Sequence, residues 1–387
     1  MNPASEFRRC SVSILDTIGD PTITFDPDGV SNYVHEYRER ASRELLSPAQ
    51  QEEGLQRWIG KIQASPGRYN CLMGLSGGLD SSFVAWLAWK HRLRPLVIHL
   101  DNGWNSELAV KNIENILRVT GFDYHNHVID WEEFRDLQVA YLRSSVVDCE
   151  VPTDHAIFAI LVREAVRHRI PYILIGDNPR TERVMPRNWS YDKTDLWNLL
   201  HIHQTFGSGK KFRSMPLLGR LGHACMREFH GLQHVPLNHF VGHGLAEMEN
   251  ILGRDFGFKN YRWKHCESVY TRFYQGYILP RKGGLDKRKA HLSDLVLSGQ
   301  ITRAEALRRL EEPYYTSAEE AADRTFVCKK LGLGEAELEK LLEQPIRPHR
   351  DFPSEPWGAK EERRAGWCRK AGRLLNRNAI RVRWNRF

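Results

Sequence analysis

The chain has 387 residues, 41% hydrophobic and 27% charged, with a net charge of +8, the proportions of a water-soluble protein large enough to bury a full core. No run approaches the roughly 18 consecutive apolar residues of a membrane span, and Met1 to Arg9 lacks the apolar core of a secretory leader. The seven cysteines (10, 71, 149, 225, 266, 328, 368) contain no Cys-x-x-Cys pair, which argues against a disulfide frame and predicts a reducing, cytoplasmic setting.

In chain order, Thr22 to Val30 reads as a hairpin turning on Asp26-Pro27-Asp28-Gly29. Ser47 to Ile62 reads as a helix opened by Ser47-Pro48, with Leu55, Trp58, Ile59 and Ile62 on one face. Tyr69 to Leu75 is a buried strand, and Ser82 to His91 a helix carrying Phe83, Val84, Trp86 and Leu87. Ser76-Gly77-Gly78-Leu79-Asp80-Ser81-Ser82 joins them. At such a junction free backbone N–H groups and the helix dipole can hold phosphate. Glycine lets the main chain approach the ligand, and the serines add donors. Asp80 would repel phosphate unless a divalent cation lay between, so it reads as a magnesium ligand. A turn needing glycine only for its backbone angle is the plainer alternative.

The alternation continues with a strand at 96–100, a helix at 107–120, a strand at 124–129, a helix at 154–168 capped by Thr153 or Asp154, and a strand at 171–175. This predicts an α/β fold with a doubly wound parallel sheet, whose ligand crevice lies outside the strand C-termini. The loops at 76–82, 101–106 and 176–182 should converge there, bringing Asp101 and Asp177 toward the phosphate cradle. Residues 180–252 are less readable. Gly207-Ser208-Gly209-Lys210-Lys211 imitates a phosphate loop, but no apolar strand leads into it, and His223, His230, His234, His239 and His243 lack a zinc-binding spacing. Residues 261–312 are dense in functional side chains. Lys264, His265, Glu267 and Arg272 stand among Tyr, Trp and Phe, where charge is costly unless paired or used. From Cys266 to Tyr277 and from Asp286 to Ser298 the pattern predicts two helices. The arginine-rich end, with Trp367, Ile380, Val382, Trp384 and Phe387, reads as an amphipathic helix and strand docking on the body, with nucleic acid or anionic lipid as alternative partners.

The Ser-Gly-Gly-x-Asp-Ser string resembles the PP-loop of the ATP pyrophosphatases, which implies ATP with Mg2+ and cleavage to AMP and pyrophosphate. Five further strings sharpen the likeness: Gly-Asp-Asn-Pro-x-Thr-Glu (176–182), Tyr-x-x-Lys-His-x-Glu-Ser-x-x-Thr-Arg-Phe-Tyr-Gln (261–275), Tyr-Ile-Leu-Pro (277–280), Asp-Lys-Arg-Lys-Ala-His-Leu-Ser (286–293) and Ser-Gly-Gln-Ile-Thr-Arg-x-Glu-Ala-Leu (298–307). With them, residues 8–352 resemble the N-acetyl sugar amidotransferases of surface-polysaccharide (lipopolysaccharide, O-antigen) biosynthesis. That family turns an acetamido group into an acetamidino group with ammonia from a glutaminase and a cyclase-like partner. The four cysteines of its N-terminal zinc site correspond here to Cys10, Ser13, Ser31 and Val34, so no zinc is expected.

The resemblance implies that Ser76, Gly77, Gly78, Ser81 and Ser82, with Asp101 and Asp177, bind the nucleotide, and that Asp80, Asp177 and Glu182 hold magnesium. Asn178, Thr181, Glu182, Lys287 and Arg288 would contact substrate, a nucleotide-linked acetamido sugar. Asp80, Lys264, His265, Glu267, Arg272 and His291 would carry catalysis, the histidines and Glu267 moving protons and the cations neutralising the adenylate. Four segments follow: an N-terminal lobe (1–60) with a degenerate zinc site, a PP-loop domain (61–255), a helical substrate region (256–357) and a basic extension (358–387). No glutaminase signature is present, so ammonia should come from a partner; a nucleic-acid partner is not expected. Competing readings are a tRNA-modifying PP-loop enzyme, weakened by the absence of a catalytic cysteine pair, an amidotransferase for a non-sugar amide or carboxylate, and a scaffold that has lost catalysis.

Overall fold

The computed structural model describes residues 7–356 and 358–379. At its centre β1 (Cys71–Gly74), β2 (Pro95–Asp101), β3 (Asp123–Val128), β4 (Tyr172–Ile175) and β5 (Gln233–Pro236) form one sheet in the order β3-β2-β1-β4-β5, each neighbouring pair parallel. Leu72 of β1 pairs with Leu96 on one side and Ile173 on the other. Helices α1 (Asn32–Glu44) and α2 (Pro48–Gln63) precede the sheet; α3 (Leu79–Lys90) follows β1 and α4 (Glu107–Thr120) follows β2. Between β3 and β4 lie α5 (Trp131–Arg143) and α6 (Val151–Arg167), and between β4 and β5 lie α7 (Leu196–Phe206) and α8 (Arg220–His230). After β5 comes α9 (Leu245–Phe256).

Successive strand residues face opposite sides, and both sides of β1, β2 and β4 are apolar, which is why these three strands read as near-continuous hydrophobic runs. Met73, Val97, Leu174 and Val235 pack with Ile59, Val84, Ile113 and Leu252 from α2, α3, α4 and α9. Leu72, Ile98 and Ile173 pack on the other face with Ile160, Leu161 and Ala165 of α6. The sheet is therefore doubly wound. The chain winds outward from β1 to β3, then restarts at β4, so strand order reverses between β1 and β4. A ligand crevice belongs above that point.

The C-terminal region caps this end. A rod runs through α10 (Val269–Phe273), a π-helical turn (Tyr274–Ile278) and α11 (Leu279–Gly283), followed by α12 (Arg288–Leu297), α13 (Arg303–Glu311), α14 (Ser317–Leu331) and α15 (Glu335–Leu342). The N-terminal segment braces it. The Cys10 thiol accepts the Ser13 and Ser31 N–H groups, each at 3.3 Å, inside a small core with Val30 and Val34. The four positions of the absent zinc site thus lie together but offer a single thiol, and serine and valine supply no thiolate. Arg303 donates to the carbonyls of Cys10 and Ser13, the Ile14 N–H donates to Ser293 Oγ at 3.2 Å, and Lys289 pairs with Asp16 at 2.7 Å. Helix α16 (Ala359–Ala379) lies against α8, where a Cβ at Gly372 would sit 2.3 Å from the Phe229 carbonyl. Trp367 on this helix is 71% exposed. Ile380, Val382, Trp384 and Phe387 lie outside the described residues.

Five sequence expectations need correction. Helix α3 starts at Leu79 rather than at 82, which puts Asp80 and Ser81 in its first turn. The expected 22–30 hairpin is a turn with a single bridge, Phe25 to Ser31, because Asp26 Oδ1 takes the N–H groups of Asp28 and Val30 and leaves no ladder to extend. Helix α6 starts at Val151 rather than 154, since Pro152 suits a first turn. The expected 266–277 helix starts at Val269, where Ser268 caps it, and runs to Gly283. β5 was unpredicted; it is a short edge strand whose Gln233 and His234 are exposed, so it lacks an apolar run. Gly207 to Lys211 lies away from the crevice, where Ser208 donates to Asp136.

The Lys289–Asp16 pair is nearly solvent-free, with side-chain exposures of 10% and 0%. Lys289→Ala is expected to destabilise the protein by up to about 3 kcal/mol by leaving the buried Asp16 carboxylate only the longer Arg9 pairing at 3.4 Å for its charge. Urea unfolding measures this, and the double replacement Lys289→Met with Asp16→Leu should restore part of the loss.

Candidate functional site

A crevice of about 1000 Å³ opens above β1 and β4, lined by Ser76, Gly78, Asp80 and Ser81 from the first loop and by Thr181 and Glu182 from the loop after β4. The C-terminal region supplies its other wall, including Lys264, His265, Glu267, Arg288 and His291. Gly77 takes φ +80°, and a Cβ there would lie 2.6 Å from the Ala109 carbonyl. A Cβ at Gly78 would lie 2.7 Å from Glu267 Oε1. Gly77 is therefore required both by its left-handed angle and by the backbone it packs against, whereas Gly78 is in extended backbone and meets only the end of the Glu267 side chain. Tyr261 and Asn112 both donate to the Gly77 carbonyl, at 2.9 and 3.2 Å, and Ser76 Oγ donates to Glu267 Oε1 at 3.3 Å.

At the crevice floor the Lys264 ammonium donates to Asp80 Oδ2 and Thr181 Oγ1, each at 2.9 Å, and pairs with Glu182 Oε1 at 2.9 Å. Asn178 donates to Asp80 Oδ1 at 2.9 Å and so fixes the carboxylate from its other side. Burial opposes the charge on Lys264, but Asp80 and Glu182 outweigh it and hold its pKa above the usual lysine value. Burial raises the Glu182 carboxyl although Lys264 pulls it down, and Asp80 adds to the rise. Two carboxylates share one ammonium, which leaves hard oxygen donors beside the Ser76–Ser81 turn. Such a pair suits a magnesium ion that completes its shell with phosphate and water.

His265 sits at φ +63°, a left-handed angle that is uncommon outside glycine. Its ring lies 5.5 Å from that of His291 and 3.9 Å from Glu182 Oε1. The ring keeps 39% exposure toward the crevice. Crowding and the Lys264 ammonium push its pKa below the ordinary imidazole value; burial, His265 and Lys264 do the same for His291. Both rings are thus neutral at neutral pH and able to accept a proton. Burial lifts the Asp294 carboxyl beneath them to about 7, although its Oδ1 takes the N–H groups of Val184 and Arg183.

Several expected residues stand elsewhere. Asp177 is gripped by the Arg183 guanidinium at 2.9 and 2.8 Å and by His239 at 2.6 Å, which keeps it from acting as a free metal ligand. Asp101 is spent on its own loop, accepting from Gly103 N–H at 2.9 Å and Asn105 at 3.3 Å. That loop does not line the crevice; it pairs with the wall, as Ser106 N–H donates to the Glu267 carbonyl and Val269 N–H to that of Trp104. Ser82 is fully buried. Asn178 is buried behind Asp80, and Arg272 is held by Asp323 at 2.7 and 2.8 Å, outside the crevice lining. Lys287 lies 5.4 Å over the Tyr274 ring. Arg288 is paired with Asp286 at 2.8 Å but presents its guanidinium 4.8 Å over Trp263 at the crevice wall.

Sequence reasoning missed Arg183, His239 and Asn238. Asn238 donates to the carbonyls of Gly176 and Asp80 and so ties the two loops together. Its only signal was a position after a short polar strand. Tyr261, three residues before Lys264, was legible from the motif but not placed in the site.

Residues 267–364 match the family model described as LPS biosynthesis protein WbpG-like, C-terminal domain. The match spans about a quarter of the chain and accords with the resemblance drawn from its motifs. No curated protein matches the chain. Among solved structures it is similar to an NMN synthetase from Francisella tularensis, with 16% identity, 71% of this chain and 96% of that one covered, and a TM-score of 0.32. It is also similar to an NH3-dependent NAD synthetase from Campylobacter jejuni, with 12% identity, 75% and 98% coverage, and a TM-score of 0.30.

Replacing Lys264 with Met removes the cation shared by Asp80 and Glu182, so the Glu182 pKa is expected to rise further. A carboxyl raised on folding contributes stability at low pH that is lost as pH climbs through its folded value. The variant should therefore lose stability more steeply than the wild type as pH rises. Carboxyl NMR titration and urea unfolding across pH measure the two effects.

Proposed function

From a WbpG-like C-terminal domain facing a phosphate-cradling loop across one crevice, we propose that the chain is an ATP-dependent, AMP-forming amidotransferase. It activates the acetamido carbonyl of a nucleotide-linked sugar and replaces its oxygen with nitrogen from ammonia, giving an acetamidino group. The observation that carries this reading is the Lys264–Asp80–Glu182 cluster, in which the segment just before the WbpG-like match neutralises the acid of the loop. A loop that only turned the chain would need neither that acid nor a buried cation beside it.

An amide carbonyl is a poor electrophile. In the proposed reaction its oxygen attacks the α-phosphorus of ATP, the bond to the β-phosphate oxygen breaks, and pyrophosphate leaves. Ammonia then adds to the carbon, loses a proton, and AMP departs with the former amide oxygen. The backbone N–H groups and hydroxyls of Ser76, Gly78 and Ser81 would bind the phosphates. Asp80 and Glu182 would hold magnesium, which when bound offsets phosphate charge. Lys264 offsets charge on the leaving pyrophosphate, and neutral His265 or His291 takes the proton released by the attacking nitrogen. Nitrogen would come as ammonia from a glutaminase with a cyclase-like partner.

Incubation with ATP, ammonium and acetamido nucleotide sugars should yield AMP, pyrophosphate and, by mass spectrometry, a product with NH in place of oxygen; ADP and phosphate would sink the proposal. Asp80→Asn is expected to slow turnover by about a hundredfold or more, the scale of a lost transition-state contact, as read by pyrophosphate release. Glutamine should not replace ammonium for the isolated chain.

A further inference from the structure

Of the seven cysteines, five are buried, and the two that reach solvent, Cys225 and Cys368, touch each other. Cys225 stands on α8 and Cys368 on α16, 143 residues further along, so no spacing in the chain announces the pair. The Cys368 thiol donates to the Cys225 sulfur at 2.8 Å. A disulfide bond is about 2.05 Å long, so little movement separates this contact from a bond.

The helices around the pair are packed as a cross-link requires. One turn beyond each cysteine, Gly372 of α16 lies against the backbone of Phe229 of α8, where a Cβ would sit 2.3 Å from the Phe229 carbonyl. The two helices therefore run side by side in the same direction, and glycine lets their backbones approach closely. A disulfide needs that closeness, since its Cα atoms stand about 4.4–6.8 Å apart. The other bonds across this interface are weak. Arg369 pairs with Glu228, but its side chain is 51% exposed and its charge is screened by water. Ala365 is buried, while Trp367 is left to solvent.

We propose that Cys225 and Cys368 are a reversible disulfide site that locks α16 onto α8 when the chain meets an oxidising small-molecule disulfide. The Cys368 thiolate attacks one sulfur of that molecule, its S–S bond breaks, and one thiolate leaves. The Cys225 thiolate then attacks the Cys368 sulfur of the mixed disulfide and expels the second thiolate. Two protein thiols lose two protons and two electrons, and the small disulfide is reduced to two thiols. Burial and the Cys368 sulfur push the Cys225 thiol up to about 11, which protects Cys225 from exchange until the mixed disulfide puts an electrophilic sulfur beside it. In a reducing setting such a bond is transient and sensing rather than structural, and partial exposure keeps this one within reach of a reductant. The lock does not depend on the amidotransferase reaction.

The test uses the purified full chain, reduced with dithiothreitol and then incubated with glutathione disulfide as the probe. The wild type should lose two hydrogens in mass and remain free of disulfide-linked dimers, and peptide mapping without reductant should show the segments holding Cys225 and Cys368 joined. Closing a loop of 143 residues restrains the unfolded chain. The oxidised protein should therefore melt several degrees above the reduced one, with α16 resistant to trypsin, and dithiothreitol should reverse both effects. Cys225→Ser and Cys368→Ser should each abolish the cross-link and the melting increment. Thiols unchanged by the probe, glutathione retained on either wild-type cysteine, or linkage between two chains overturns the lock, and so does a cross-link that leaves melting and cleavage of α16 unaltered. The wild-type map decides the matter even where a variant fails to fold.

Discussion

The Lys264 ammonium is the contact on which the site depends. It is largely removed from water, a position that costs several kcal/mol for a lone charge, and it is tolerable because Asp80 and Glu182 each lie 2.9 Å away. Those acids come from the loops after β1 and β4, and the lysine from the chain entering the C-terminal region. One cation thus joins three segments distant in sequence. Without it Asp80 and Glu182 would repel each other across the crevice floor.

The rest of the fold serves to keep that junction in register. Asn178 and Asn238 clamp the two loops through side-chain amides, and the Trp104 loop pairs with the wall at residues 267–269. On the outer side, the N-terminal lobe grips α12 and α13 through Asp16–Lys289, Ser293 and Arg303. The positions at which the motif resemblance implies a zinc site instead form a small core around Cys10, with direct bonds from this lobe to the C-terminal helices. The lobe is therefore anchored by packing and buried polar contacts, and α12, which carries His291, depends on them.

Much of this was legible before any coordinates. Helix 107–120 and the strands at 71–74 and 172–175 follow from apolar runs and glycine breaks, because local patterning alone settles which face is buried. The 76–82 loop and the Lys264–Glu267 string were legible for another reason: they place charge and glycine where a mere turn or a core would not. Arg183, His239 and Asn238 were not legible. Arg183 reaches back six residues across an irregular loop to Asp177, and the partners of His239 and Asn238 lie 56 residues away or more; no local period encodes such pairings. The 22–30 turn misled because one carboxylate satisfied the backbone groups that a hairpin would have paired.

By itself the sequence determined the doubly wound sheet, the glycine- and serine-rich strand-to-helix junction at its switch point and the family likeness of the C-terminal region, since each rests on short-range patterns of apolar, glycine and charged residues. Only the tertiary structure decided which charges face the crevice. It withdrew Asp177, Asp101 and Arg272 into pairings elsewhere and gathered Asp80, Glu182 and Lys264 at one floor. The reason is electrostatic: the effect of a charge is set by its nearest partner and its distance from water, and both are fixed by packing between segments far apart in the chain.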